Sequence, residues 1–210
     1  MIDAIVFMGI QGSGKGTQAK LLAVKTGYQH INIGDLLRKE GTKDTDLGKQ
    51  VKSTIQLGDL VPDKIIFALI QDAVSDDCSG IIFDGFPRNL SQAEYLVQNF
   101  RVMRVYYLDL EESVAIDRIK GRRVCSQCGT NYHLTNEPPK KDSVCDLCGG
   151  VLITRSDDSP KAVEKRVQAF FEETFVLKDF FEKRGVLIVL PAERSIAEIQ
   201  KQILSDLHLD

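Results

Sequence analysis

Nowhere in the 210 residues does an apolar run approach the roughly 18–20 residues needed to cross a bilayer. No basic stretch leads into a long apolar one either: Met1–Met8 is apolar but short, and Gly9–Lys15 follows at once. These absences set aside membrane spans and export signals and lead to the expectation of a cytoplasmic chain. Charge of one sign is equally scarce, since 27 Lys and Arg meet 30 Asp and Glu for a formal net charge of −3. Nucleic acid and anionic membrane usually select a strong basic excess, so neither is an expected partner. Any phosphate must then be held by a local site. Internal repeats and low-complexity tracts are absent as well. Cysteines number 5, an odd count, with four in two Cys-x-x-Cys pairs and Cys78 alone in an acidic context. Without an export signal, such pairs point to metal before disulfides.

What remains is ordinary for a chain that buries a core: 43% hydrophobic and 27% charged residues, at a length suited to one domain with small insertions. The apolar residues Ile2, Ile5, Val6, Phe7 and Met8 stop at a glycine cluster, and helical spacing follows from Lys15 to Thr26 with Gly27 as its stop. Further apolar runs at Gly80–Phe83, Val102–Leu108 and Val186–Leu190 each follow a helical stretch. Strands alternating with helices predict an α/β fold, a mostly parallel sheet covered on both faces. Two segments break that rhythm. Residues Asn32–Asp77 read as consecutive helices (Gly34–Glu40, Thr45–Leu57, Pro62–Val74), and from Val124 to Asp157 helical periodicity gives way to cysteines, Pro138–Pro139 and Gly149–Gly150. A long irregular segment inside a compact domain is usually functional.

The loop Gly9-Ile10-Gln11-Gly12-Ser13-Gly14-Lys15-Gly16-Thr17 lies between strand and helix. Glycines let successive N–H groups turn inward, the helix N-terminus adds partial positive charge, and Lys15 can reach phosphate oxygens. The generic pattern ends Lys-Ser/Thr, but here Gly16 follows the lysine and the hydroxyl of Thr17 is shifted one place. Asp84 closes the buried run Ile81–Phe83 and is the candidate to orient magnesium, directly or through its waters. Cys125-x-x-Cys128 and Cys145-x-x-Cys148, sixteen residues apart, have the spacing of a closed four-sulfur structural zinc site, which iron can also occupy during overexpression. With four protein ligands no position remains for a substrate water.

The loop string, together with His30–Arg38, Ile81–Arg88 with Gln92, Arg118–Arg123, and Arg155–Asp158 with Arg166, resembles the adenylate kinases over nearly the whole chain. The resemblance implies a three-layer P-loop fold with a five-stranded sheet, a helical excursion that binds the nucleoside monophosphate, and a zinc-ribbon lid. It divides the chain into a core (1–31, 62–121 and 160–210), a monophosphate-binding segment (32–61) and a lid (122–159). The implied reaction is reversible transfer from ATP to AMP giving two ADP, with magnesium accompanying ATP, in a monomer. Lys15, Arg88, Arg122, Arg155 and Arg166 are the implied catalytic residues. ATP is implied at Gly12, Ser13, Gly14, Lys15, Gly16, Thr17, Arg122, Asn131 and Tyr132, and at the backbone of Arg194. AMP is implied at position 33, Arg38, Asp59, Leu60, Val61, Gly85, Phe86, Pro87, Arg88, Gln92, Arg155 and Arg166. The chain departs from the family at Ile33, where a small hydroxyl residue is usual, and at Gln11, where proline is common. Two other readings stand beside it: a kinase for monophosphates of another base, and a nucleotide-gated zinc-ribbon module that contacts nucleic acid.

Overall fold

Buried strands organise the molecule. In this computed structural model, which describes residues 1–209, the elements run β1 (Ile2–Met8), α1 (Lys15–Thr26), β2 (Gln29–Asn32), α2 (Ile33–Glu40), α3 (Asp46–Leu57) and α4 (Asp63–Ala73). They continue as β3 (Ile81–Asp84), α5 (Leu90–Asn99), β4 (Phe100–Asp109), α6 (Glu112–Lys120), β5 (Arg122–Cys125), β6 (Asn131–His133) and β7 (Leu152–Ile153). α7 (Pro160–Ala169), a π-helical turn (Phe170–Thr174), α8 (Leu177–Glu182), β8 (Leu187–Pro191) and α9 (Ile196–Asp206) complete the chain.

Five strands form one parallel sheet in the order β2-β3-β1-β4-β8. Alternation along β1 sends Ala4, Val6 and Met8 into one apolar cluster with α4, α5, α7 and the π-helical turn. Ile5 and Phe7 go into a second cluster with α1 and α9. Both faces are thus covered, which a parallel sheet requires because its strands have no solvated side. Strand order reverses about β1, with β3 on one side and β4 on the other, so a crevice opens above their C-terminal ends.

The expected helical excursion is present as α2, α3 and α4. Its boundaries shift by one residue where caps act: Asn32 Oδ1 accepts from Asp35 N at 2.8 Å and Thr45 Oγ1 from Gly48 N at 3.0 Å, so both stand outside their helices. The four-residue strand β2 had no sequence signal of its own, because three of its residues are the polar Gln29, His30 and Asn32. The cysteine-bearing insertion contains a small antiparallel sheet, order β6-β5-β7. No described helix is long and apolar enough to cross a membrane.

Candidate active site

The loop from Gly9 to Gly14 leaves β1 and enters α1 without a side-chain cap: Gly14 serves as the cap at φ 92°, a left-handed conformation that a side chain would strain. The N–H groups of Lys15 and Gly16 at the start of α1 therefore stay available to an anion, while Thr17 N donates to Gly14 O at 3.1 Å. Gly16 has a different reason. A Cβ there would stand 2.9 Å from Asp84 Oδ2, so the shift of the loop hydroxyl to Thr17 follows from the close approach of strand β3 to the helix start. Lys15 folds back over the loop, its Nζ donating to Gly9 O at 2.7 Å and Ile10 O at 2.8 Å. Burial pulls its ammonium down to about 8; the repulsion of Arg88, Arg122 and Arg166 pushes the same way, and Asp84 alone opposes it.

Asp84 ends β3 at the sheet's C-terminal edge and is buried. Its Oδ2 accepts from Asn32 Nδ2 and lies 3.8 Å from His30 Nε2. Arg88, four residues on, is held by its Nε to Gly85 O at 2.9 Å, while its carbonyl accepts from Thr174 Oγ1 at 2.7 Å. From the opposite side come the residues around the small sheet. Arg122 forks onto Asp158 (3.0 and 2.5 Å), and Arg166 spans Asp157 at 3.0 Å and Asp158 at 2.9 Å. Arg38 reaches the same Asp157 oxygen at 3.4 Å, and Arg155 donates to Asn131 Oδ1 at 2.9 Å. Burial would raise the Asp158 carboxyl, but the Arg122 and Arg166 guanidiniums overcome it and hold it below the usual carboxylate range. Burial, then repulsion from Arg166 and Arg38 at Arg88 and from Arg122 and Arg38 at Arg155, brings both down to about 10. Both remain charged at neutral pH, so the site stores cationic repulsion that a polyphosphate would relieve.

Lys15, Asp84, Asp157, Arg38, Arg88, Arg122, Arg155 and Arg166 line one cavity of about 550 Å³. Its wall carries eight cationic side chains and five carboxylates, a local excess of positive charge in a chain of net charge −3. One end is an apolar cup of Ile33, Leu37, Ile55, Leu60, Val61 and Ile66, with Asp59 and Gln92 at its edge. The other end is formed by Arg118, Asn131, Tyr132, His133 and the loop at Ala192–Arg194. Every side chain expected in the site lines this cavity except two. Phe86 and Pro87 do not: the Phe86 ring is 1% exposed and packs against Phe83 and Tyr95, because the residue after Gly85 faces the core under α5. Lys120 pairs with Asp117 on an exposed helix face, as a solvated charge should.

Sequence reasoning missed Asn32, which joins β2 to Asp84, and gave Arg118 no role of its own, although Arg118 Nη1 donates to Ala192 O at 3.0 Å and fixes the far loop. It also missed Glu137, which lines the cavity from the loop after β6. No local motif marks such residues, since their partners are remote in sequence.

The Sγ atoms of Cys125, Cys128, Cys145 and Cys148 all lie within 4.8 Å of one another. The Cys125–Cys148 and Cys128–Cys145 separations are 3.4 and 3.6 Å, far too long for a disulfide and near the about 3.8 Å edge of a tetrahedron whose sulfurs sit about 2.3 Å from zinc. Gln127 N and Cys128 N point at Cys125 Sγ (3.4 and 3.5 Å), which suits thiolate ligands. The donor set fits zinc. His133, whose Nε2 packs against Gly121 and finds no partner, is not part of the cluster.

The family model for adenylate kinase matches residues 7–186. The chain is 40% identical to the adenylate kinase of Caldanaerobacter subterraneus subsp. tengcongensis, covering 96% of each chain. It is 37% identical to that of Clostridioides difficile over 97% of each, and 36% identical to that of Caldicellulosiruptor bescii over 98% of this chain and 99% of the relative.

Proposed function

The chain belongs to the adenylate kinase family, and on that premise we propose that it reversibly transfers the terminal phosphoryl group of ATP to AMP, giving two ADP. The observation that carries this reading is the convergence of Lys15, Arg88, Arg122, Arg155 and Arg166 on one cavity that also takes in the apolar residues around Ile33 and Val61 and the loop at Ala192–Arg194. Such a transfer needs little covalent participation from protein. It needs two polyphosphates in line, little water, and fixed cations around the transferred group.

In this reading the N–H groups of Gly12–Thr17 and the Lys15 ammonium hold the ATP phosphates, and Asn131, Tyr132 and the Arg194 backbone hold its ribose and base. AMP lies with its base in the apolar cup between Ile33 and Val61, beside Gln92, and with its phosphate on Arg38 and Arg88. An AMP phosphate oxygen bonds to the γ-phosphorus as the bond to the β–γ bridging oxygen breaks, and that oxygen stays with the departing ADP. Arg122, Arg155 and Arg166 surround the moving group and offset its charge, and the arginine fork suits equatorial phosphate oxygens. Magnesium bound with ATP would neutralise the β- and γ-oxygens, with Asp84 the residue to hold it through waters. Residues 32–61, which contain α2 and α3, act as the monophosphate cover, and 122–159 as the lid that excludes water. Zinc held by Cys125, Cys128, Cys145 and Cys148 stabilises that lid and takes no part in chemistry. Since the whole constellation comes from one chain, a monomer suffices.

A coupled assay of ADP formation from ATP with AMP, GMP, CMP and UMP tests the reading. Transfer to AMP far above the others is expected. A preference for another base, or salt-dependent nucleic-acid binding without turnover, would overturn it.

A further inference from the structure

The apolar cup does not by itself choose among bases. Ile33, Leu37, Ile55, Val61 and Ile66 present methyl and methylene groups to any flat ring, and Ile33 brings no hydroxyl. A hydrophobic wall rejects an isostere weakly, whereas a hydrogen bond left unmade in a buried site discriminates strongly. The one buried amide at this end is Gln92, 2% exposed.

That amide is fixed. Gln92 Oε1 accepts from the backbone N–H of Arg88 at 2.8 Å, and Gln92 Nε2 donates to Asp63 Oδ1 at 2.7 Å. A backbone N–H can only donate and a carboxylate can only accept, so a turned amide would set donor against donor and acceptor against acceptor. The same Asp63 oxygen accepts from Asn89 Nδ2 at 3.1 Å, and Asn89 is oriented in turn because its Oδ1 accepts from Gln92 N at 2.9 Å. The chain of dependence therefore ends on two backbone N–H groups. Gln92 is left with one lone pair and one N–H for a ligand, in a single order.

We propose that Asp63, a positioning residue at the first turn of α4, sets base selectivity at the monophosphate end by holding the Gln92 amide one way round. This rests on the phosphoryl-transfer reading above. A purine with an exocyclic amine at position 6 and an acceptor at ring position 1 offers donor then acceptor. Its 6-oxo counterpart offers acceptor then donor. A locked amide suits the first and opposes the second; an amide held by the Arg88 N–H alone turns at lower cost and discriminates less.

The test compares kcat/KM for AMP and inosine monophosphate, which differ only at these two positions, in wild type and in Asp63→Ala, Asp63→Ser and Asp63→Asn, with melting temperature measured for each. Loss of the charge-assisted acceptor in Asp63→Ala removes the stronger of the two restraints and leaves the Arg88 N–H alone opposing a turn, so the AMP-to-IMP ratio is expected to fall about tenfold, chiefly by raising IMP use. Asp63→Ser, whose hydroxyl donates or accepts, is expected to do the same while preserving a polar first turn. Asp63→Asn restores the ratio, since Asn89 keeps its oxygen facing inward. A ratio unchanged in folded Asp63→Ala and Asp63→Ser overturns the proposal, as does an equal loss of both substrates, which is what a merely structural role produces. Wild type that uses AMP but fails to discriminate against IMP also overturns it; wild type that uses neither overturns the phosphoryl-transfer reading beneath it.

Discussion

Lys15 shows how one side chain carries both a structural and an electrostatic load. Its ammonium caps two loop carbonyls, Gly9 O and Ile10 O, and burial holds it down to about 8 instead of the model-compound 10.5. Between those limits the unfolded chain keeps a proton that the folded chain has shed, so this group makes stability rise with pH from about 8 to 10.5. Binding reverses the sign, because an anion beside Nζ favours the charged form. Nucleotide binding at pH 9 is therefore expected to take up about one proton, and at pH 7 close to none. Calorimetry in buffers of different ionisation enthalpy measures this; equal uptake at both pH values would remove Lys15 from the phosphate site. Lys15→Ala should lower kcat/KM by about 10²–10³-fold, the cost of one preorganised donor, while circular dichroism stays unchanged because the loop is shaped by backbone. Residues of this kind were legible in the sequence, since a glycine loop with a lysine has a local pattern. Asn32, Asp63 and Arg118 were not, because each acts through a partner distant in sequence: Asp84, Gln92 and Ala192.

Among elements, the cysteine-bearing segment depends most on something other than apolar burial. Its own buried hydrophobic set is only Cys125, Cys145 and Leu152, with Tyr132 packed alongside. So small a core cannot define one conformation, whereas structural zinc contributes about 10–16 kcal/mol at the scale of a peptide. Cys145→Ser should release the metal, lower the melting temperature and accelerate amide exchange across 122–159 while β1, β3 and β4 keep their protection. Unchanged metal content and exchange would show that the cluster holds nothing. The strand–helix alternation and the helical excursion could be read from periodicity because each buries a face. The short strands β2, β6 and β7 could not, since two to four residues are too few to show a period, and their pairing is decided by neighbours.

At the scale of the whole molecule, parallel topology creates a crevice where strand order reverses, and two segments rise from the sheet to close it. Asp157 joins them: it receives Arg38 from α2 and Arg166 from α7, so the helical excursion and the cysteine-bearing insertion meet on one carboxylate. The cationic excess of the cavity within a chain of net charge −3 explains how phosphates are drawn to one place without a generally basic surface. Two nucleotides are expected to meet end to end there. The most direct measurement is calorimetric titration with two adenosines joined through a chain of phosphates. One molecule is expected to bind per chain and to exclude ATP and AMP together. Failure to bind the folded protein, or binding that leaves the AMP site open, would contradict the account.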